Sequence, residues 1–297
     1  MIPFQLHRRI PLVRRLFNQR DYAIAQRDAA LIKLGALLRE CEKVNGSDTP
    51  LSQAPLIQDL KNNYHHLLLA CMPKSGSTYL ATILANLPNF SNVPLVTYYG
   101  KREQEIEPVL LWLNADKNYV AQHHVRCSEA TYYLIQTYKL KPIVLVRDIF
   151  DVVMSIRDHM RDVSVVSSMA YAFPNFKNWE DEKLEDFIAD MVVPWYFNFY
   201  VSWLETDEKL LITYNDLNRD PFSVLSRIKT KYGINCSDDE IHEAINKSRT
   251  KDQSSMTRKN KAIIGRGQNL SENAREHIYR MARYYDGVDF RPIGLRL

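Results

Sequence analysis

Cysteine is scarce and scattered in this chain. Its four cysteines, Cys41, Cys71, Cys127 and Cys236, contain no C-x-x-C pair. That spacing argues against a zinc site and against a disulfide framework, and it suits a reducing, cytoplasmic location. Long apolar runs are missing as well: no stretch approaches the roughly 20 residues that a membrane-spanning helix needs. The opening Met1-Ile2-Pro3-Phe4-Gln5-Leu6-His7-Arg8-Arg9 has no apolar core of the kind a signal peptide carries. Internal repeats and low-complexity tracts are absent. So is a strong excess of either charge: a net +4 suits an anionic ligand and is too small to imply nucleic-acid binding. What the chain does have is core material. With 45% hydrophobic residues over 297 positions, it can bury one large domain, or one domain with an appendage.

The most informative stretch is 65–82. Leu67–Met72 is an apolar run of strand length, ended by Pro73, which cannot donate to a sheet ladder. Lys74, Ser75, Gly76, Ser77 and Thr78 follow, and then the helix-like Tyr79–Leu87. A strand turning tightly into a helix through a glycine leaves several N–H groups aimed at one spot, at the positive end of the helix dipole. With the Lys74 ammonium and three hydroxyls nearby, the turn is suited to a phosphate-like dianion. It is not the common nucleotide loop, in which the lysine follows the second glycine. Here Lys74 precedes the glycine.

Elsewhere the pattern alternates strands with helices. Residues 12–44 read as one long helix, with Phe17, Ile24, Leu31 and Leu38 at seven-residue spacing but Arg20 and Arg27 spoiling the first half of the seam. Either it packs on its own domain or it is an arm, a candidate surface for a homodimer. Asn45–Pro50 is rich in helix breakers and marks a boundary between an arm over 1–50 and a domain over 51–297. Asn118–Gln122 is a candidate strand delivering His123 and His124, and Pro142–Val146 reads as a strand covered on both faces. Helices are expected over 128–138, 149–159 and 182–206. A strand is expected at Leu210–Tyr214, and further helices after Asp220-Pro221, Ser237 and Ser271. The expected fold is α/β, a mostly parallel sheet flanked by helices.

A second motif supports the first. Arg147 ends the Pro142–Val146 strand, and Ser155 stands eight residues on, in the following helix. Ligands of α/β sheets sit beyond the carboxyl ends of strands, so Arg147 falls beside the Lys74 loop if the two strands are neighbours. Its planar fork binds phosphate in bidentate fashion, and Ser155 can share the anion. The other reading of Arg147 is a salt bridge to Asp148 or Asp151.

Pro73-Lys74-Ser75-Gly76-Ser77-Thr78-Tyr79 resembles the 5′-phosphosulfate loop of sulfotransferases that use 3′-phosphoadenosine 5′-phosphosulfate (PAPS). Arg147 with Ser155 resembles their 3′-phosphate motif. The resemblance is to the soluble, prokaryotic-type members, with a P-loop-like fold, and it covers most of 65–160 and more loosely the rest of the chain. It implies PAPS as co-substrate, 3′,5′-ADP as product, no metal, and transfer of a sulfuryl group to a hydroxyl or amine of a small-molecule or glycan acceptor. By that resemblance Arg258, Lys259, Arg266 and Gly267 form the pool that closes the 3′-phosphate site, in a shifted register. Tyr79 stands where a tryptophan often meets the adenine, and Tyr214 resembles the tyrosine near it.

The resemblance also gives Lys74 the leaving oxygen, and with Ser155 a place in catalysis. It puts a base at a histidine after a strand: His124, 23 residues before Arg147, or His123 beside it. The family's flanking Lys-Thr is replaced by Gln122-His123. Glu103 and Glu105 are rival bases, and Arg126, Arg157, Asp158 and His159 are candidates for the acceptor cleft. Two other readings stay open. One is a nucleotide-dependent kinase of related fold, which the Lys-before-Gly order disfavours. The other is a non-catalytic nucleotide-binding scaffold that assembles through 12–44.

Overall fold

The computed structural model describes residues 64–96, 104–162, 169–170, 172, 174–251 and 264–296. The expected helix over 12–44 and its homodimer surface lie outside the described residues, as do Glu103, Arg258 and Lys259.

Five strands form one sheet in the order β2-β3-β1-β4-β5. They are β1 (His66–Cys71), β2 (Phe90–Asn92), β3 (Asn118–His123), β4 (Lys141–Val146) and β5 (Leu210–Thr213). Every pairing is parallel. The strand β1 lies between β3 and β4, and all six of its residues are buried, which is why it reads as an unbroken apolar run rather than an alternating one. On one face Leu67, Leu69 and Cys71 pack against α1 (Ser77–Ala85), α8 (Pro221–Tyr232) and α9 (Asp238–Lys251). Leu68 and Ala70, pointing the other way, are equally buried, so both faces are covered.

The connections cross over through helices: α2 (Pro108–Leu113), α3 (Glu129–Tyr138), α4 (Ile149–Asp162), α5 (Asp181–Met191) and α6 (Val193–Leu204). The short α7 (Tyr214–Arg219) follows β5, and α10 (Glu272–Ala282) lies near the end of the chain. Local signals start several of them. Asp220 caps α8 through Ser223 N–H at 3.0 Å, with Pro221 at the first position. Ser237 and Glu240 form a reciprocal capping box at α9, with bonds of 3.1 and 2.7 Å. Among the described residues no helix is long and apolar enough to cross a membrane.

Three elements differ from the sequence expectation. The single helix expected over 182–206 is two, broken at Val192, because Pro194 lacks an N–H and belongs at a helix start. The strand expected to reach Tyr214 stops at Thr213, whose hydroxyl caps α7 by accepting Asp216 N–H at 3.1 Å; Tyr214 is the first residue of that helix. The three-residue edge strand β2 carries no alternation long enough to read.

Leu69 lies mid-strand in β1 with no exposed surface. Leu69→Ala should cost about 2–5 kcal/mol in urea unfolding, whereas exposed Tyr133→Ala should stay within about 0.5 kcal/mol.

Candidate functional site

Strand order brings the predicted residues to one edge. In the register, Ala70 of β1 pairs with His123 of β3, and Cys71 pairs with Leu145 of β4. His124, the loop after Cys71 and Arg147 therefore emerge side by side at the carboxyl ends of three adjacent strands, with Tyr214 just past the end of the next. The chain moves from β1 to the β2–β3 side and returns to β4 on the other, so β1 and β4 flank the topological switch point where α/β sheets bind ligands.

The loop is held from below. Ser75, fully buried, donates its hydroxyl to Met72 O at 2.6 Å, so it shapes the turn. Tyr196 of α6 donates to Pro73 O at 3.2 Å. Lys74 has a left-handed backbone, φ 68°, which costs a non-glycine residue about 1–2 kcal/mol. Arg147 Nη1 holds that conformation by donating to Lys74 O at 3.0 Å. Gly76, φ 80°, is the N-cap of α1 and supplies no side-chain cap, so the first-turn donors are turned to whatever lies in front of them. A Cβ at Gly76 would lie 2.8 Å from the Tyr214 ring. Thr78 is exposed at the first turn, and Tyr79 is half-buried against the α1 core cluster.

Arg147 is buried; its contacts include Lys74 O, Asp151 Oδ2 at 3.4 Å, and the Tyr214 ring, 4.4 Å from guanidinium carbon to centroid. The ion pair with Asp151 and the contact with the loop thus coexist. Asp151 also draws in the C-terminal segment. Its two oxygens accept Gly267 N–H at 2.7 Å and Gly265 N–H at 3.1 Å. Gly267 lies flat on the start of α4, where a Cβ would meet Phe150 Cβ at 2.5 Å. Arg266, between the two glycines, pairs with Asp158 at 2.6 Å. Ser155, buried, is one turn beyond Asp151 on α4 and one turn before Asp158. Arg157 pairs with Glu185 at 2.6 Å and Asp181 at 3.1 Å, joining α4 to α5.

The two histidines are not equivalent. His123 is buried, and its Nε2 accepts Leu95 N–H at 2.8 Å, so its lone pair is occupied. Burial, then the neighbouring His124, push its pKa down to about 3. His124 is partly buried, and its Nδ1 donates to Cys71 O at 2.8 Å. A carbonyl can only accept, so Nδ1 carries the proton and Nε2 is the basic nitrogen of the neutral ring. Burial also lowers the His124 pKa, partly offset by that bond. The backbone of His124 is tied down by Gln104, whose buried side chain accepts its N–H at 2.8 Å. Glu105, next to Gln104, is exposed. Beneath the pair, burial pushes the Cys71 thiol up to about 12, so it is no nucleophile.

Sequence reading missed Gln104, Gln122, Tyr196 and the stapling role of Asp151. Only Asp151 left a trace, four residues after Arg147 and ahead of a Gly-x-Gly at 265–267.

A sequence model described as the sulfotransferase domain matches residues 64–286. No curated protein sequence matches the chain. The crystal structure of mouse sulfotransferase SULT7A1 complexed with PAP has a TM-score of 0.59 at 16% identity, over 82% of this chain and 93% of that one. Retinol dehydratase, in complex with androsterone and inactive cofactor PAP, has a TM-score of 0.50 at 14% identity, over 78% and 82%. At such identities these structures share the fold with this chain.

Two tests follow from the geometry. Gly267→Ala should destabilise by about 1–3 kcal/mol in thermal or urea unfolding, since backbone and a Cβ stand in its way. His123 should make stability pH-dependent. Its folded pKa, about 3, is below the usual 6.5, so the unfolded chain takes up the proton first and stability falls as pH drops below 6.5. Between pH 7.5 and 5.5 this one group should cost about 1.4 kcal/mol, read as a urea-midpoint shift that shrinks in His123→Gln.

Proposed function

Since the chain belongs to the sulfotransferase domain family, we propose that it transfers a sulfuryl group from PAPS to a hydroxyl or amine of a small-molecule or glycan acceptor. The observation that carries this reading is the convergence of the uncapped Lys74–Thr78 turn, Arg147 and His124 at adjacent strand ends. The turn suits a 5′-phosphosulfate: Gly76 provides no side-chain cap, and Lys74 stands beside the first turn of α1. Arg147, Ser155 and the clamped Gly265–Gly267 segment suit the 3′-phosphate, with Arg258 and Lys259 as further candidates and Tyr214 and Tyr79 near the adenine. The PAP complexes of SULT7A1 and retinol dehydratase support the same donor.

Bound PAPS supplies an activated sulfuryl group on a phosphate that leaves readily. Lys74 places a positive charge where negative charge grows on the departing oxygen, and the first-turn N–H groups hold the phosphate in line. His124 takes the acceptor proton on Nε2 as the acceptor oxygen or nitrogen bonds to sulfur and the old S–O bond breaks, leaving 3′,5′-ADP. Its lowered pKa keeps it neutral, hence a working base, at pH 7. His123, its lone pair on Leu95 N–H, is placed to pack rather than to take a proton.

Calorimetric titration should show 3′,5′-ADP binding more tightly than ADP or 5′-AMP; equal affinity for all three overturns the reading. In an acceptor screen with labelled PAPS, His124→Ala should lower kcat about 10²–10⁴-fold with 3′,5′-ADP affinity retained. Unchanged turnover would remove His124 as the base.

A further inference from the structure

Gln122 stands on β3, on the far side of the anion loop from Arg147. Its Nε2 donates to Ser77 Oγ at 2.8 Å. The two residues are 45 positions apart, and nothing in their local sequence couples them. Ser77 is the first residue of α1, directly after the uncapped Gly76, and is 5% exposed. A serine hydroxyl has one proton to donate and lone pairs to accept with. Because Gln122 fills the accepting role, the Ser77 proton must go elsewhere. The acceptor at hand is the Cys71 sulfur, which contacts both Ser77 and Gln122. The thiol spends its own proton on His123 O at 3.5 Å, and sulfur is a weak acceptor. An anionic oxygen arriving at the first turn of α1 is a far stronger one.

We propose that Gln122 is a positioning residue of the anion loop: its amide holds Ser77 Oγ as an acceptor, leaving the hydroxyl proton for a phosphate oxygen bound at the start of α1. This rests on the PAPS reading for the identity of the anion, though not for the hydrogen-bond direction. The same amide ties β3, which carries His124, to the loop that carries Lys74, so base and anion site keep one spacing.

The test is a double-mutant cycle of Gln122→Ala and Ser77→Ala, with calorimetric titration of 3′,5′-ADP and, separately, inorganic pyrophosphate. Each single change should weaken anion binding about fivefold, and the double variant should bind no worse than Ser77→Ala alone. Gln122→Glu, equal in shape but unable to donate when ionised, should bind more weakly than Gln122→Ala, because the Ser77 proton then turns to the carboxylate. A residue that only fills space would recover wild-type binding once methionine restores its volume, whereas Gln122→Met should bind as weakly as Gln122→Ala. If Gln122→Ala fails to fold, Gln122→Met, which keeps the volume and loses the amide, replaces it. Additive losses, or wild-type binding by Gln122→Glu, overturn the proposal. Coupled losses for pyrophosphate without preference for 3′,5′-ADP overturn the PAPS reading and keep this one. Preference for 3′,5′-ADP with additive losses does the reverse, and a wild type that binds neither anion overturns both.

Discussion

Parallel pairing of β1 with both β3 and β4 is the constraint on which this site depends. A parallel ladder sends the carboxyl ends of its strands to the same edge, so residues that follow neighbouring strands meet in space. His124, Lys74 and Arg147 follow β3, β1 and β4 in that order across the sheet. A sheet with another strand order would keep all three motifs and scatter them. Burial of β1 on both faces holds this arrangement: sliding it by one residue would break two ladders at once and misplace the helix packed above it.

Around that edge, charge is balanced in layers. Arg147 is buried and would be costly alone, but Asp151, Lys74 O and the Tyr214 face share its charge. Asp151 is balanced in turn by two backbone N–H groups from the Gly265–Gly267 turn. One carboxylate thereby links the end of β4, the start of α4 and the C-terminal segment. Arg266 pairs with Asp158, and Arg157 with Asp181 and Glu185 of α5, so these arginines tie α4 to the C-terminal segment and to α5. The cost of the left-handed Lys74 backbone is offset by the arginine that grips its carbonyl.

The two adjacent histidines show how much a strand end can separate like residues. The last residue of β3 points into the core, and its lone pair caps an N–H from another segment. The next residue leaves the ladder, donates through Nδ1 to a carbonyl of β1, and keeps Nε2 as its basic nitrogen. Neighbours in sequence thus share the Nδ1–H tautomer yet differ in chemistry, one Nε2 lone pair being spent on an N–H and the other not bonded to Leu95, because successive side chains along a strand's direction face opposite ways.

Local pattern alone carried much of this protein. The apolar run ending at Pro73, the Lys-Ser-Gly-Ser-Thr turn, the strand into Arg147, the capping box at Ser237 and the Asp220-Pro221 start are all written within a few residues, where turn chemistry and hydrophobic period act. They were enough to read an α/β chain with two anion motifs. Which strands pair, how the two histidines are hydrogen-bonded, where Tyr214 packs, and that Gln122 reaches Ser77 were settled only by folding. Those contacts join residues dozens of positions apart, and no local periodicity encodes them. They follow from strand order, which the whole buried core selects rather than any one stretch of it.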